Sequence, residues 1–125
     1  MDSTSESRKK KILVVDDKTN IRLLYKEVLE EEGYEVLLAQ DAEEAREKLK
    51  TEKPDLVTLD IKMPGMDGIQ FLSQIKETYQ DLPVIMCSAY GSYKQDFRVW
   101  SCDAYVVKSA DLKELKLMIR EVLGF

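Results

Sequence analysis

Short apolar runs alternate with helix-period segments five times along the 125 residues, and that alternation leaves few folds open. The runs are Ile12-Leu13-Val14-Val15, residues 34–39, Leu56-Val57-Thr58-Leu59, Val84-Ile85-Met86-Cys87 and Ala104-Tyr105-Val106-Val107. Strands that are apolar on both faces, each followed by an amphipathic helix, make a parallel sheet sandwiched between helices. The expected fold class is therefore α/β. Short, right-handed crossovers favour a doubly wound (βα)5 sheet of the flavodoxin-like order 2-1-3-4-5, which makes the first and third strands neighbours.

The intervening segments carry their own signals. Ile21, Leu24, Tyr25, Val28 and Leu29 recur at helical spacing, and Gly33 stands where a left-handed cap is expected. Residues 34–39 read as the second strand. Asp41 precedes Glu44 by three residues, a capping-box spacing, so a helix is expected from there to about Thr51, with Pro54 closing the stretch. Ile69, Leu72, Ile75 and Tyr79 give a third helix that starts just after Gly68, and Pro83 leads into the fourth strand. Residues 92–101 hold Tyr93, Phe97, Val99 and Trp100 without a clean cap, which predicts a short, weak helix. Leu112, Leu115, Met118, Ile119, Val122 and Leu123 predict a strong last helix, with Asp111 and Glu114 favouring its positive N-terminal end.

This length suits one domain, expected over residues 11–125 behind a disordered polar tail at 1–10. The net charge of -5 argues against a nucleic-acid footprint, and the basic stretch Arg8-Lys9-Lys10-Lys11 reads more simply as a solvated tail. No apolar run approaches the roughly 18 residues that span a bilayer, and none near the N-terminus suits a signal peptide, so a cytoplasmic protein is expected. Cys87 and Cys102 lack metal-ligand spacing and read as reduced structural thiols. Histidine is absent, which removes Ser-His-Asp and Cys-His catalysis, imidazole zinc sites and phosphohistidine chemistry on this chain.

Chemistry-bearing residues close the strands. Asp16 and Asp17 follow the first, Asp60 the third, Ser88 ends the fourth and Lys108 follows the fifth. In an open α/β sheet, ligands bind at the carboxyl ends of the strands, so these positions converge although the first and last lie far apart in sequence. Any one of them alone reads more simply as a turn residue, a cap or a solvated lysine. Together they suggest a pocket whose crowded carboxylates suit a hard divalent cation such as Mg2+. Beside such a cation Asp60 can act as a carboxylate nucleophile and form an acyl phosphate, with Lys108 and the Ser88 hydroxyl stabilising its oxygens.

The loop Asp60-Ile61-Lys62-Met63-Pro64-Gly65-Met66-Asp67-Gly68, taken with Ile12-Leu13-Val14-Val15-Asp16-Asp17, Ser88-Ala89 and Tyr105 to Lys108, resembles the receiver domain of bacterial two-component response regulators. The likeness spans residues 11–123 and is nearest to single-domain chemotaxis and sporulation-phosphorelay regulators. It implies that Asp60 is the phosphoacceptor, that Asp17 binds magnesium directly and Asp16 largely through water, and that the Lys62 backbone carbonyl is a further ligand. Ser88 and Tyr105 would be a switch pair, and Lys108 the phosphoryl-binding lysine. Tyr105 also reads as an ordinary half-buried strand aromatic.

The implied function is two-component phosphorelay signalling. A sensor histidine kinase or histidine phosphotransfer protein would donate the phosphoryl group, and a downstream effector would read the face made by the fourth helix, fifth strand and last helix. The domain would catalyse only its own phosphorylation and dephosphorylation, without binding DNA or inserting into a membrane. It is expected to act alone through protein contacts or as part of a longer regulator. Tyr93, Phe97 and Trp100 suggest a partner surface or a partly buried stripe. Two departures stand out. Ser109 replaces a proline that is commonly preceded by a cis bond, and non-proline cis costs ~2.5–4 kcal/mol, so a trans or locally strained peptide is expected. Ser101-Cys102 replaces the usual glycine and alanine, which removes the left-handed cap. An aspartate-nucleophile phosphatase would want a carboxylate where Lys62 stands, and a flavin-binding protein a hydroxyl- and glycine-rich loop where Asp16-Asp17-Lys18 stands.

Overall fold

The computed structural model describes residues 9–89, 96–108 and 112–124. Five parallel strands, β1 (Lys11–Val15), β2 (Glu35–Ala39), β3 (Leu56–Asp60), β4 (Val84–Ser88) and β5 (Ala104–Val107), form one sheet in the order β2-β1-β3-β4-β5, as the connection rules required. The helices are α1 (Thr19–Glu31), α2 (Ala42–Glu52), α3 (Gly68–Thr78) and α4 (Lys113–Leu123).

Period-two alternation along the strands divides the interior into two cores. Leu13, Val15, Val57, Leu59, Val84 and Met86 pack with Ala45 and Leu49 of α2 and Phe71, Leu72 and Ile75 of α3. On the opposite face Ile12, Val14, Leu56, Ile85 and Val106 pack with Tyr25 and Leu29 of α1 and Leu115 and Ile119 of α4. Burying each large apolar side chain is worth about 1.5–3 kcal/mol, so both layers are needed to hold the sheet. Leu24, counted into the inward stripe of α1 by its spacing, is instead 39% exposed.

Gly33 has φ +98°, and the Tyr34 amide donates to Leu29 O while that of Gly33 donates to Glu30 O. This helix-closing motif takes up Tyr34, so β2 starts at Glu35 rather than at residue 34. At α2 the Asp41 carboxylate accepts from Glu44 N at 2.9 Å, and Glu44 reaches back to accept from Gln40 N at 2.8 Å. The exchange is a capping box displaced by one residue. Lys53 ends α2 in the left-handed region at φ +50°, ahead of Pro54.

Residues 92–101 do not form the expected helix in their described part. Only a 3-10 turn, Phe97–Val99, is present, and Tyr93 lies outside the described residues. Val99 is buried in the α2–α3 core while Trp100 is 70% exposed. No residue of 96–104 takes a positive φ, in keeping with Ser101-Cys102 in place of a glycine. Asp103 instead fixes the entry to β5: its carboxylate accepts from Val84 N at 2.7 Å and from Lys76 Nζ at 2.9 Å. The tail at residues 1–8, Asp111 and the Lys108-Ser109 peptide lie outside the described residues.

Loss of an N-cap carboxylate typically costs 0.5–2 kcal/mol. Asp41→Ala is expected to lower unfolding stability by about 1 kcal/mol without changing the denaturant m-value, as measured by urea titration.

Candidate functional site

The strand order places the ends of β1 and β3 side by side. Asp16 follows β1, Asp60 is the last residue of β3, and Lys108 follows β5. All three continue the strand positions that face α1 and α4, as Val14, Thr58 and Val106 do before them. The Lys108 ammonium bridges the two carboxylates, at 2.6 Å from Asp16 Oδ2 and 3.1 Å from Asp60 Oδ1. Its amide donates to Ser88 O at 2.7 Å, which ties the end of β5 to the end of β4.

Asp16, Asp17 and Asp60 each offer a carboxylate oxygen within 4.8 Å of the others. Asp16 is held at every polar atom. Its amide donates to Ala39 O, its carbonyl accepts from Arg22 Nη1, and its two carboxylate oxygens accept from Lys18 N and Lys108 Nζ. Asp17 differs: its Oδ1 is buried and has no hydrogen-bond partner among the described residues. A buried carboxylate oxygen left without a donor is costly. Among the described residues the Lys108 ammonium bridges two of the three carboxylates and the Arg22 guanidinium meets only the Asp16 carbonyl, so negative charge stays in excess. Both features fit a hard cation with oxygen ligands, for which Asp16, Asp17 and Asp60 are the residues in place.

Burial pushes the Asp60 carboxyl above its ordinary range; Lys108 pulls it down, and Asp16 and Asp17 push it up again. Burial works against the Lys108 ammonium, but its hydrogen bond to Asp16 and the charges of Asp16 and Asp60 prevail and raise it. Lys108 therefore stays charged.

The β3–α3 loop is held close to Asp60 at Gly68. A Cβ on Gly68 would lie 2.0 Å from Asp60 O and 2.8 Å from Ile61 Cα, so α3 can begin there only with glycine. Gly68 N donates to Ile61 O, and Asp67 caps α3 by accepting from Gln70 N at 2.9 Å. Lys62 stands exposed in this loop, two residues past Asp60.

Ser88 is buried and Tyr105 half-buried. Tyr105 packs against the α2–α3 core. Ser88 closes β4 at the same end of the sheet as Asp60 and Lys108. Tyr90, beside Ser88 in sequence, lies outside the described residues.

Sequence reasoning missed two neighbours of the site. Arg22 reaches it through a backbone carbonyl, which no side-chain spacing reveals. Cys87, paired in register with Asp60, is buried beside Tyr25; burial first, then the nearby acids, pushes its thiol up to about 12, so it remains a thiol.

A family model described as the response regulator receiver domain matches residues 12–120. The chain belongs to that family and is a receiver domain of two-component response regulators. Sporulation initiation phosphotransferase F of Bacillus subtilis (strain 168) is 36% identical over 115 residues, which cover 90% of this chain and 93% of the relative. Response regulator TrrA from Thermotoga maritima, crystallised in complex with Mg(2+)-BeF, superposes with a TM-score of 0.87 at 45% identity, covering 90% of this chain and 98% of TrrA. The structure of histidine kinase ThkA in complex with TrrA matches with a TM-score of 0.86 at 46% identity, over 91% of this chain and 98% of the matched one. The chain spans about half the length of several relatives named as probable transcriptional regulators.

Overpacked substitutions cost about 1–3 kcal/mol. Gly68→Ala is expected to lose at least that much in urea unfolding, because the groups a Cβ would strike are backbone.

Proposed function

We propose that Asp60 accepts a phosphoryl group from a phosphohistidine on a sensor histidine kinase or histidine phosphotransfer protein, and that the resulting acyl phosphate changes the face read by an effector. The observation that carries this reading is the pocket itself, with three carboxylates within 4.8 Å, one of their oxygens buried without a donor, and one ammonium bridging two of them. TrrA, a near relative in structure, has been seen both with Mg(2+)-BeF and with a histidine kinase, which supports the same donor class and metal here.

Asp60 supplies the nucleophile. One of its carboxylate oxygens forms a bond to phosphorus as the phosphorus–nitrogen bond to the donor imidazole breaks, and the imidazole departs with the electron pair. Lys108, already beside Asp60, moves its charge from the carboxylate to the transferred phosphoryl oxygens. Asp16, Asp17, Asp60 and the Lys62 carbonyl would hold magnesium, and the bound ion would supply positive charge against the phosphoryl oxygens. Ser88 donates its hydroxyl to a phosphoryl oxygen after transfer, and Tyr105 turns into the space that this movement opens. The face that changes comprises the segment around the 3-10 turn, β5 and α4. The protein turns over no other substrate and works in the cytoplasm through protein partners, without contacting DNA itself. No described helix is long and apolar enough to cross a membrane.

Incubation with acetyl phosphate and MgCl2 is expected to add the mass of one phosphoryl group to the intact protein, and Asp60→Asn to add none. A parent protein that gains no mass, or an Asp60→Asn variant that does, overturns the assignment. Saturation with MgCl2 at ten times its dissociation constant is expected to stabilise the fold by about 1.4 kcal/mol, a rise of a few degrees in melting temperature that EDTA reverses. Addition of beryllofluoride with MgCl2 is expected to shift the Tyr105 ring resonances, and unchanged shifts would remove Tyr105 from the switch.

A further inference from the structure

Asp17 is the acid in the pocket with the fewest restraints, since its Oδ1 has no hydrogen-bond partner among the described residues. Its position is therefore set by the chain on either side of it. On the upstream side stands the 16–17 peptide, whose carbonyl oxygen belongs to Asp16. Among the described residues one side chain holds that oxygen: Arg22 Nη1, one turn into α1, donates to it at 2.7 Å. Arg22 Nη2 also reaches Thr19 Oγ1 at 3.3 Å, which braces the guanidinium against the first turn of the helix. The usual means of fixing this junction is missing, since Lys18, the N-cap residue of α1, makes no side-chain cap bond.

We infer that Arg22 is a positioning residue for the cation site, fixing the plane of the 16–17 peptide and so aiming the Asp17 carboxylate. The inference rests on the magnesium reading proposed above. Arg22 touches neither metal nor phosphoryl group; it acts on the acid that does. Outer-shell partners of this type commonly govern metal affinity by roughly 10- to 100-fold.

Charge alone predicts the opposite sign, which makes the point decidable. Arg22 is a cation near an acidic pocket, so removing it should strengthen the binding of another cation if only Coulomb forces matter. If orientation dominates, removing it weakens binding. The experiment is calorimetric titration of the full chain with MgCl2 after EDTA treatment and its removal, for the parent, Arg22→Met, Arg22→Gln and Arg22→Lys. Melting temperatures in EDTA are recorded alongside. Arg22→Met and Arg22→Gln are expected to raise the Mg2+ dissociation constant by about tenfold or more. Arg22→Lys, which keeps the charge but not the planar fork, falls between them and the parent. A fall in stability without metal does not reproduce this result, because affinity is read on folded protein well below the melting temperature. A parent that binds while Arg22→Met or Arg22→Gln binds as tightly or more tightly overturns the inference and leaves the metal reading standing. A parent that binds no magnesium overturns the metal reading and this inference with it.

Discussion

Lys108 carries one positive charge into a pocket with three negative ones, and that imbalance governs the end of the sheet. Its ammonium joins residues from the ends of β1 and β3, while its own amide ties β5 to β4 through Ser88. A buried ion pair of this kind adds little net stability, because desolvation offsets much of the attraction, but breaking one strands its partner. What the arrangement secures is position. Four of the five strands have their ends referred to a single ammonium and its backbone, and the charge left over is a standing preference for a cation.

The same economy of position appears in the loop after Asp60. Because α3 begins in van der Waals contact with the Asp60–Ile61 backbone, the acid sits on a strand wedged against a helix rather than on a free loop. On the opposite wall Asp16 is bound at every polar atom, and Asp17 at far fewer. The pocket thus combines rigid walls with one acid oxygen that awaits a partner. That suits chemistry which needs geometry prepared in advance of charge.

The sheet was legible in the sequence because topology rules act on the order of elements rather than on their details. Five apolar runs and short right-handed crossovers were enough to make Asp16, Asp17 and Asp60 neighbours. The errors fell where tertiary packing overrides local pattern. Leu24 keeps helical spacing yet remains partly exposed, and Tyr34 has strand propensity but is consumed in closing α1. Between β4 and β5, the aromatic and β-branched residues gave only one 3-10 turn among the described residues, with Val99 as its anchor. Gly68 was read as a helix boundary, whereas its position is dictated by steric contact with Asp60. Arg22 escaped notice because it acts on a main-chain atom, and sequence spacing relates side chains.

Trp100 has a consequence of its own. It is the one tryptophan in the chain, 70% exposed, and placed on the short turn that Val99 anchors ahead of β5. Its indole emission therefore comes from a single known location, free of overlap from any other indole. A change of polarity at that turn, whether from an incoming protein surface or from a shift of the turn itself, would be written directly in the colour of the light the protein emits.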